Sequence, residues 1–258
     1  MTSYDVHGLI GLFAAAIVAG AINAVAGGGT LISFPSLVAF GEPDIISNAT
    51  NTAALWPGGL SGAMAYRKDT TIDRGLLAML LIPSIIGGLL GAVILVVTPE
   101  SVFRLVVPIL ILFATCLFAA RNYLSKRLSM KTDKNEVSLR ARIWGFFFQL
   151  FVATYGGYFG AGMSILMLGS LGVMGLRDVH VMNEIKSALA AIVNITAFIF
   201  FAVRGLVVWP LAVLMAAGAI LGGYAGGRSA KRIKQTHLQF FIVVVGLVIT
   251  AWFITKLS

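Results

Sequence analysis

Long apolar segments separated by short polar loops recur along the whole chain. They cover approximately residues 9–40, 49–66, 75–97, 104–121, 143–172, 185–203, 207–227 and 238–255. A helix needs about 20 largely apolar residues to cross the hydrocarbon core of a bilayer. Six of these eight segments have about that length, and the first and fifth are near 30 residues. The pattern predicts an all-α protein that crosses a membrane many times.

Glycines interrupt the two long segments. Gly27, Gly28 and Gly29 stand in the first, with Pro35 shortly after them, and Gly160-Ala161-Gly162 stands in the second. Each glycine disfavours a continuous helix by about 1 kcal/mol relative to alanine. Each long segment is therefore predicted to be two short helices joined by a break at membrane depth, where irregular backbone must be buried in protein or line a cavity. Re-entrant hairpins and full crossings both fit this pattern.

The second half of the chain repeats the first. Three matches carry this repeat: Gly27–Thr30 aligns with Gly160–Met163 at an offset of 133, Ala54-Leu55 with Ala188-Leu189 at 134, and Gly87-Gly88 and Gly91 with Gly222-Gly223 and Gly226 at 135. We therefore divide the chain into a first transmembrane repeat (1–121), a basic linker (122–142) and a second repeat (143–258). Each repeat is expected to hold a glycine-broken helical hairpin and three further helices, about ten helical elements in all.

Composition supports a membrane protein and excludes several other classes. Hydrophobic residues make up 59 % of the chain and charged residues 11 %, with a mean hydropathy of +0.95. A soluble domain carries roughly 25 % charged residues, so a soluble enzyme, a nucleic-acid binder and a disordered chain are excluded, and the lipid bilayer is the expected surrounding. Three histidines and one cysteine are too few for a metal cluster. No cofactor and no enzymatic activity are expected.

Positive charge predicts how the halves are oriented. The loop at 67–74 holds three basic residues and the loop at 228–236 holds four. Counted along each half, the loop at 67–74 is the second loop of the first half, whereas the loop at 228–236 is the third loop of the second half. Because Lys and Arg concentrate on the cytoplasmic side, equivalent loops should lie on opposite sides. The repeats are then inverted, as in many secondary transporters, with both termini outside a bacterial inner membrane and the linker in the cytoplasm.

Both glycine-rich breaks are candidate anion sites. Where a helix restarts, its first N–H groups lack partners and its positive dipole end is free, so an oxyanion can bind there. The residues proposed to meet around the anion come from both halves: Gly27, Gly28, Gly29 and Thr30, and Gly160, Ala161, Gly162 and Ser164. The alternative is that these glycines only allow close helix packing, the role expected of Gly20, Gly91 and Gly226.

Polar residues at membrane depth form a second candidate set. Such residues usually face the interior of the bundle or a water-filled path. Asn48 is expected to cap a helix, since asparagine suits that position, whereas Asn51 and Lys186 are expected to face the pathway and complete the pocket. Lys186 could neutralise an anion, pair with Glu184 or extend to the interface.

Two stretches of the sequence resemble the signatures of a known protein family. The two signatures are the stretch Asn23–Leu37 followed by Asn48–Thr52, and Gly156–Gly162 leading to Asn183–Ser187. They resemble the signatures of the TauE/SafE sulfite exporter family over the whole chain. Met163 stands where the first half has Thr30, and no proline matches Pro35. The resemblance implies export of sulfite or of organosulfonates such as sulfoacetate.

Residues and resemblance together predict a secondary transporter. Its partner would be a small anionic substrate held at the glycine-rich helix N-termini near the midplane, with a coupling proton or cation as a further possible partner. A small-anion channel of the same architecture is the alternative, because the same positive helix ends would serve a pore.

Overall fold

The computed structural model describes residues 5–66, 74–129, 139–174, 176, 179–229 and 235–256. Within these residues the regular structure is entirely α-helical. The ten helices are α1 (Val6–Val25), α2 (Thr30–Phe40), α3 (Asp44–Tyr66), α4 (Arg74–Val97), α5 (Glu100–Ser129), α6 (Leu139–Tyr158), α7 (Met163–Val173), α8 (Val179–Val203), α9 (Trp209–Ser229) and α10 (Gln235–Thr255). The prediction of an all-α integral membrane protein is confirmed.

Both long apolar segments are split where the glycines stand. The first becomes α1 and α2, and the second becomes α6 and α7. Only the second helix of each pair is short, at 11 residues, whereas α1 has 20 residues. The expectation of two short helices per segment is therefore wrong for α1 and for α6, which also has 20 residues. Helix α1 is one of six described helices long and apolar enough to cross a membrane. The other five are α4, α5, α8, α9 and α10.

Two helices begin earlier than the apolar pattern predicts. Helix α3 begins at Asp44 instead of residue 49, and α8 begins at Val179 instead of residue 185. The start of α3 is stabilised from a distance, because the backbone N–H groups of Asp44 and Ile45 donate to Glu100 Oε1 at 2.6 and 3.3 Å. Asp44 also accepts a hydrogen bond from Arg104 at 3.2 Å. A cap from α5 thus replaces the local cap expected at Asn48.

The predicted linker is helical at both ends. Helix α5 continues to Ser129 and α6 starts at Leu139. Residues 130–138 lie outside the described part, as do 67–73 and 230–234, which hold most of the basic residues used to predict orientation. The repeat boundaries and the inverted arrangement stay predictions.

Glycines at matching positions of the two halves pack helices of one half closely against helices of the other. A Cβ built on Gly91 of α4 would overlap the backbone of Thr154 and Gly157 in α6, and one on Gly222 of α9 would overlap Ile17 in α1. The fourth helix of each half therefore packs on the first helix of the other. Gly20, Gly91 and Gly226 all have such backbone neighbours, which confirms their predicted packing role.

A buried aromatic cluster fixes the short helix α2 in the core. Phe34 is fully buried and lies edge-on to Phe159, with ring centroids 5.4 Å apart. Its ring also stacks on Phe253 of α10 at 5.8 Å and meets Phe103 of α5 at 6.5 Å. Because Phe159 belongs to the second break, this cluster connects α2 directly to the α6–α7 connection.

Candidate functional site

The two glycine-rich breaks are in direct contact. A Cβ built on Gly27 would overlap both Cβ and Oγ of Ser164, so the first residues of α7 lie against the first break. Gly27 also has a φ of 80°, a left-handed conformation that glycine adopts readily and that side-chain-bearing residues rarely do. Gly160 and Gly162 have φ values of 81° and 79°. Gly27 and Ser164, one from each predicted set, therefore lie against each other, and their role around an anion stays a prediction.

The start of α2 leaves backbone donors without acceptors. Gly27 N–H donates to the oxygens of Ile22 and Asn23 at 3.2 and 3.0 Å, and Leu31 N–H donates to Gly28 O at 3.1 Å. Between these bonds, the N–H groups of Gly28, Gly29 and Thr30 have no acceptor among the described residues. Buried backbone N–H groups are nearly always paired, so these three groups are candidate donors to a ligand.

The start of α7 repeats this arrangement. Gly160 N–H donates to Tyr155 O at 3.3 Å, and Met163 N–H donates to Gly160 O at 3.3 Å. The N–H groups of Ala161, Gly162 and Ser164 have no acceptor in the described part of the chain. Ala161, Gly162 and Ser164 are buried, as are Gly27–Gly29. Two sets of donors from two helix N-termini therefore lie in the interior, with the positive ends of both helix dipoles.

A polar contact connects Asn51 to the first break. The hydroxyl of Ser33 lies within hydrogen-bonding distance of Gly29 O, at 3.1 Å, and of Asn51 Oδ1. Both side chains are buried, with Asn51 only 2 % exposed. Because the contact engages Oδ1, the amide N–H groups of Asn51 are left to donate elsewhere. Ser33 is not among the residues predicted from the sequence, although its place one turn after Gly29 is a usable signal.

The α-carbons of the break glycines face packed protein. A Cβ on Gly28 would overlap the ring of Phe118 in α5, and one on Gly29 would overlap the backbone of Ala19 in α1. A Cβ on Gly162 would lie 3.4–3.5 Å from Ala114 and Leu117 of α5. The packing alternative is therefore correct for the α-carbon side of Gly28 and Gly29, and the unpaired N–H groups are a separate feature of the same residues.

Lys186 is held within the second half. Its side chain is 5 % exposed, and Nζ donates to Asn183 Oδ1 at 3.3 Å. The neighbouring Ile185 belongs to a buried cluster with Met163 of α7. This burial does not fit a lysine that extends to the membrane interface, and its predicted place in the anion pocket stays a prediction.

Asn48 connects the halves instead of capping α3. It lies in the second turn of α3, where its Nδ2 donates to Tyr158 O, the last residue of α6, at 2.8 Å. Two residues later, Thr50 Oγ1 accepts from the N–H of Val208, before α9, at 3.1 Å. The polar start of α3 thus binds backbone groups of the second half, and the expected capping role of Asn48 is wrong.

Comparisons with known proteins agree on a class. The family model for the sulfite exporter TauE/SafE matches residues 12–253. A "probable membrane transporter protein" of Haemophilus influenzae is 27 % identical over 93 % of this chain and 92 % of its own length. "Probable membrane transporter protein ORF9" of a Sinorhizobium species is 27 % identical, covering 93 % and 90 %, and "probable membrane transporter protein YfcA" of Escherichia coli K12 is 26 % identical, covering 93 % and 87 %. No solved structure matches the chain.

Proposed function

Because this chain belongs to the TauE/SafE sulfite exporter family, and is thus a multi-pass membrane transporter and not an enzyme, we propose that it is a secondary transporter for a small sulfur-containing oxyanion. The substrate is sulfite or an organosulfonate such as sulfoacetate, and the direction is export across the bacterial inner membrane.

One observation carries this proposal: six unpaired backbone N–H groups lie at two buried helix starts that contact each other. An oxyanion that leaves water must exchange its hydration for other donors, since burial of an unpaired charge is very costly. A hydrogen bond to a charged group contributes about 1.5–3 kcal/mol, so a few of these N–H groups are enough to hold a small anion. They add no fixed full charge that would trap it.

Asn51 supplies a side-chain donor beside the first helix start. Its Oδ1 is engaged by Ser33, which also lies at Gly29 O. This contact orients the amide so that its N–H groups are available to the anion. Lys186 adds positive charge from α8, and this is the part of the proposed pocket that rests on sequence reasoning alone.

The test is counterflow of labelled sulfite in proteoliposomes. A carrier preloaded with unlabelled sulfite should accelerate the entry of labelled sulfite, and this acceleration should saturate. Asn51→Leu should raise the half-saturating sulfite concentration about tenfold or more, the effect of one lost hydrogen bond to a charged group. Gln149→Leu is the matched control, because Gln149 is another buried amide whose Nε2 donates to Ser84 at 2.8 Å, in the α4–α6 packing.

Three outcomes would contradict parts of the proposal. Resolved unitary currents in a planar bilayer would replace the carrier with the channel alternative. Equal effects of Asn51→Leu and Gln149→Leu on sulfite affinity would remove Asn51 from the site. Competition by sulfoacetate, sulfate and thiosulfate in the same assay identifies the preferred anion, and failure of sulfite and of all three to exchange would overturn the substrate class.

A further inference from the structure

The amide oxygen of Asn48 is a buried acceptor without a donor. Asn48 is 1 % exposed, and its Oδ1 has no hydrogen-bond partner among the described residues. The orientation of the amide is fixed by its other end, because only Nδ2 can donate to Tyr158 O, which lies 2.8 Å away. Buried side-chain oxygens are usually paired, and one without a partner in the protein is suited to a bound water or ion.

The helix end that Asn48 contacts is rich in acceptors. Tyr158 ends α6, and the last carbonyl groups of a helix carry its partial negative charge. Beyond this end, the N–H groups of Phe159 and Gly160 both donate to Tyr155 O, at 2.9 and 3.3 Å. In the described residues, no backbone N–H after the helix end donates to Gly156 O or Gly157 O. Carbonyl oxygens at a negative helix end attract a cation and repel an anion.

The second half contains a comparable pair with its own cation. Near the start of α8, Asn183 Oδ1 accepts from the ammonium of Lys186, three residues later, at 3.3 Å. Helix α3 has the same spacing between Asn48 and Asn51, so the position of the lysine is taken by a neutral amide. Helix α3 contains no lysine or arginine, so its own sequence offers no cation to Asn48 as Lys186 offers one to Asn183.

We propose that Asn48 Oδ1 and the carbonyl oxygens at the end of α6 bind Na⁺, and that this Na⁺ is the coupling ion of the transporter. These ligands are neutral oxygens that do not titrate, which excludes a proton carried on them. Divalent cations favour sites with carboxylate ligands, and the described residues contain no group of three or more His, Cys, Asp or Glu suited to a metal. Broken helices of secondary transporters commonly bind a coupling cation at such carbonyl ends, beside the anion at the helix N-termini.

This inference rests on the proposed function, because a coupling ion requires a transported substrate. Binding of Na⁺ itself can nevertheless be measured without any anion. The purified full-length protein is titrated with ²²Na⁺ in a scintillation proximity assay, with choline chloride keeping the ionic strength constant. Saturable binding displaced by unlabelled Na⁺ and not by choline is expected for the unmodified protein, together with a higher unfolding temperature in Na⁺ than in choline.

Two substitutions distinguish the role of the side-chain oxygen of Asn48 from that of its nitrogen. Asn48→Leu removes both and should weaken Na⁺ binding at least tenfold. Asn48→Asp removes the donor to Tyr158 O and keeps an acceptor, so it should bind Na⁺ at least as tightly as the unmodified protein. Gln149→Leu, which removes a buried amide elsewhere, should leave Na⁺ binding unchanged.

Each contrary result has a definite meaning. If Asn48→Asp loses Na⁺ binding as fully as Asn48→Leu, the residue acts only through its bond to Tyr158, and the Na⁺ site is refuted. Absence of saturable ²²Na⁺ binding in the unmodified protein refutes it as well, even if Asn48→Leu does not fold. Sulfite counterflow that runs equally in Na⁺ and in choline overturns the coupling role and leaves the transport proposal intact. Na⁺ binding without transport of any tested anion overturns the proposed function instead.

Discussion

In a single glycine at a break, the α-carbon and the backbone N–H group face different surroundings. The α-carbon of Gly28 faces the ring of Phe118, whereas its N–H is one of the unpaired donors at the start of α2. From the sequence alone, a larger residue at position 28 would be expected to block the anion directly. The structure instead directs a new side chain at Phe118, so substitution there first disturbs packing.

This arrangement predicts a compensating pair. Gly28→Ala should lower the unfolding temperature and impair sulfite counterflow, because overpacking in a filled core costs about 1–3 kcal/mol. Gly28→Ala combined with Phe118→Leu should recover much of both, since the smaller side chain makes room for the added methyl group. Thermal unfolding in detergent and counterflow in proteoliposomes measure the two effects. Recovery of stability without recovery of transport would mean that the α-carbon side of Gly28 lines the anion pathway.

At the scale of helices, close packing occurs where a glycine of one helix contacts backbone atoms of the neighbouring helix. Gly91 of α4 meets backbone atoms of Thr154, Gly157 and Tyr158 in α6. Backbone cannot move aside as the end of a flexible side chain can, so these contacts fix the distance between helices. Association of helices inside a bilayer depends strongly on such small-residue contacts.

A matched pair of substitutions tests this packing. Gly91→Ala should lower the free energy of unfolding by about 1–3 kcal/mol, as overpacking typically does. Gly11→Ala, in α1, should leave it unchanged or raise it, because a Cβ there has no neighbour within 4 Å and alanine favours a helix. Unfolding temperatures of both variants in the same detergent measure the contrast. Equal unfolding temperatures for the two variants would contradict the assigned role of Gly91.

At the scale of the whole molecule, the two halves are interlocked and not separate bodies. The fourth helix of each half packs on the first helix of the other, and α3 binds backbone groups of the second half through Asn48 and Thr50. The breaks meet in the interior of this arrangement. Movement of one half relative to the other would therefore change the proposed anion site directly, as alternating access to a buried site requires.

The inverted orientation of the halves is tested by labelling single cysteines in a Cys116→Ala background. With both termini outside, Val6→Cys should react with a membrane-impermeant maleimide in intact cells, and this side chain is 63 % exposed. Ser229→Cys, at the end of α9 beside the basic loop, should react only after the cells are permeabilised. Labelling of Ser229→Cys in intact cells would contradict the inverted arrangement.

The sequence by itself determined the class of protein and the positions of the helix breaks. High apolar content excludes a water-soluble fold whatever the tertiary arrangement, and consecutive glycines weaken a helix locally, so both properties can be read residue by residue. The separation of α1 from α2 and of α6 from α7 followed from this. The family signatures are likewise local stretches of sequence, and the match over residues 12–253 confirmed the family.

Only the tertiary structure decided which residues meet. The early start of α3 depends on Glu100, more than 50 residues away, and Asn48 could be assigned to Tyr158 only once α3 and α6 were placed together. The same holds for Ser164 against Gly27. The physical reason is that apolar patterning fixes which segments leave water, whereas contacts between distant helices depend on side-chain shape and on hydrogen bonds that no local pattern records.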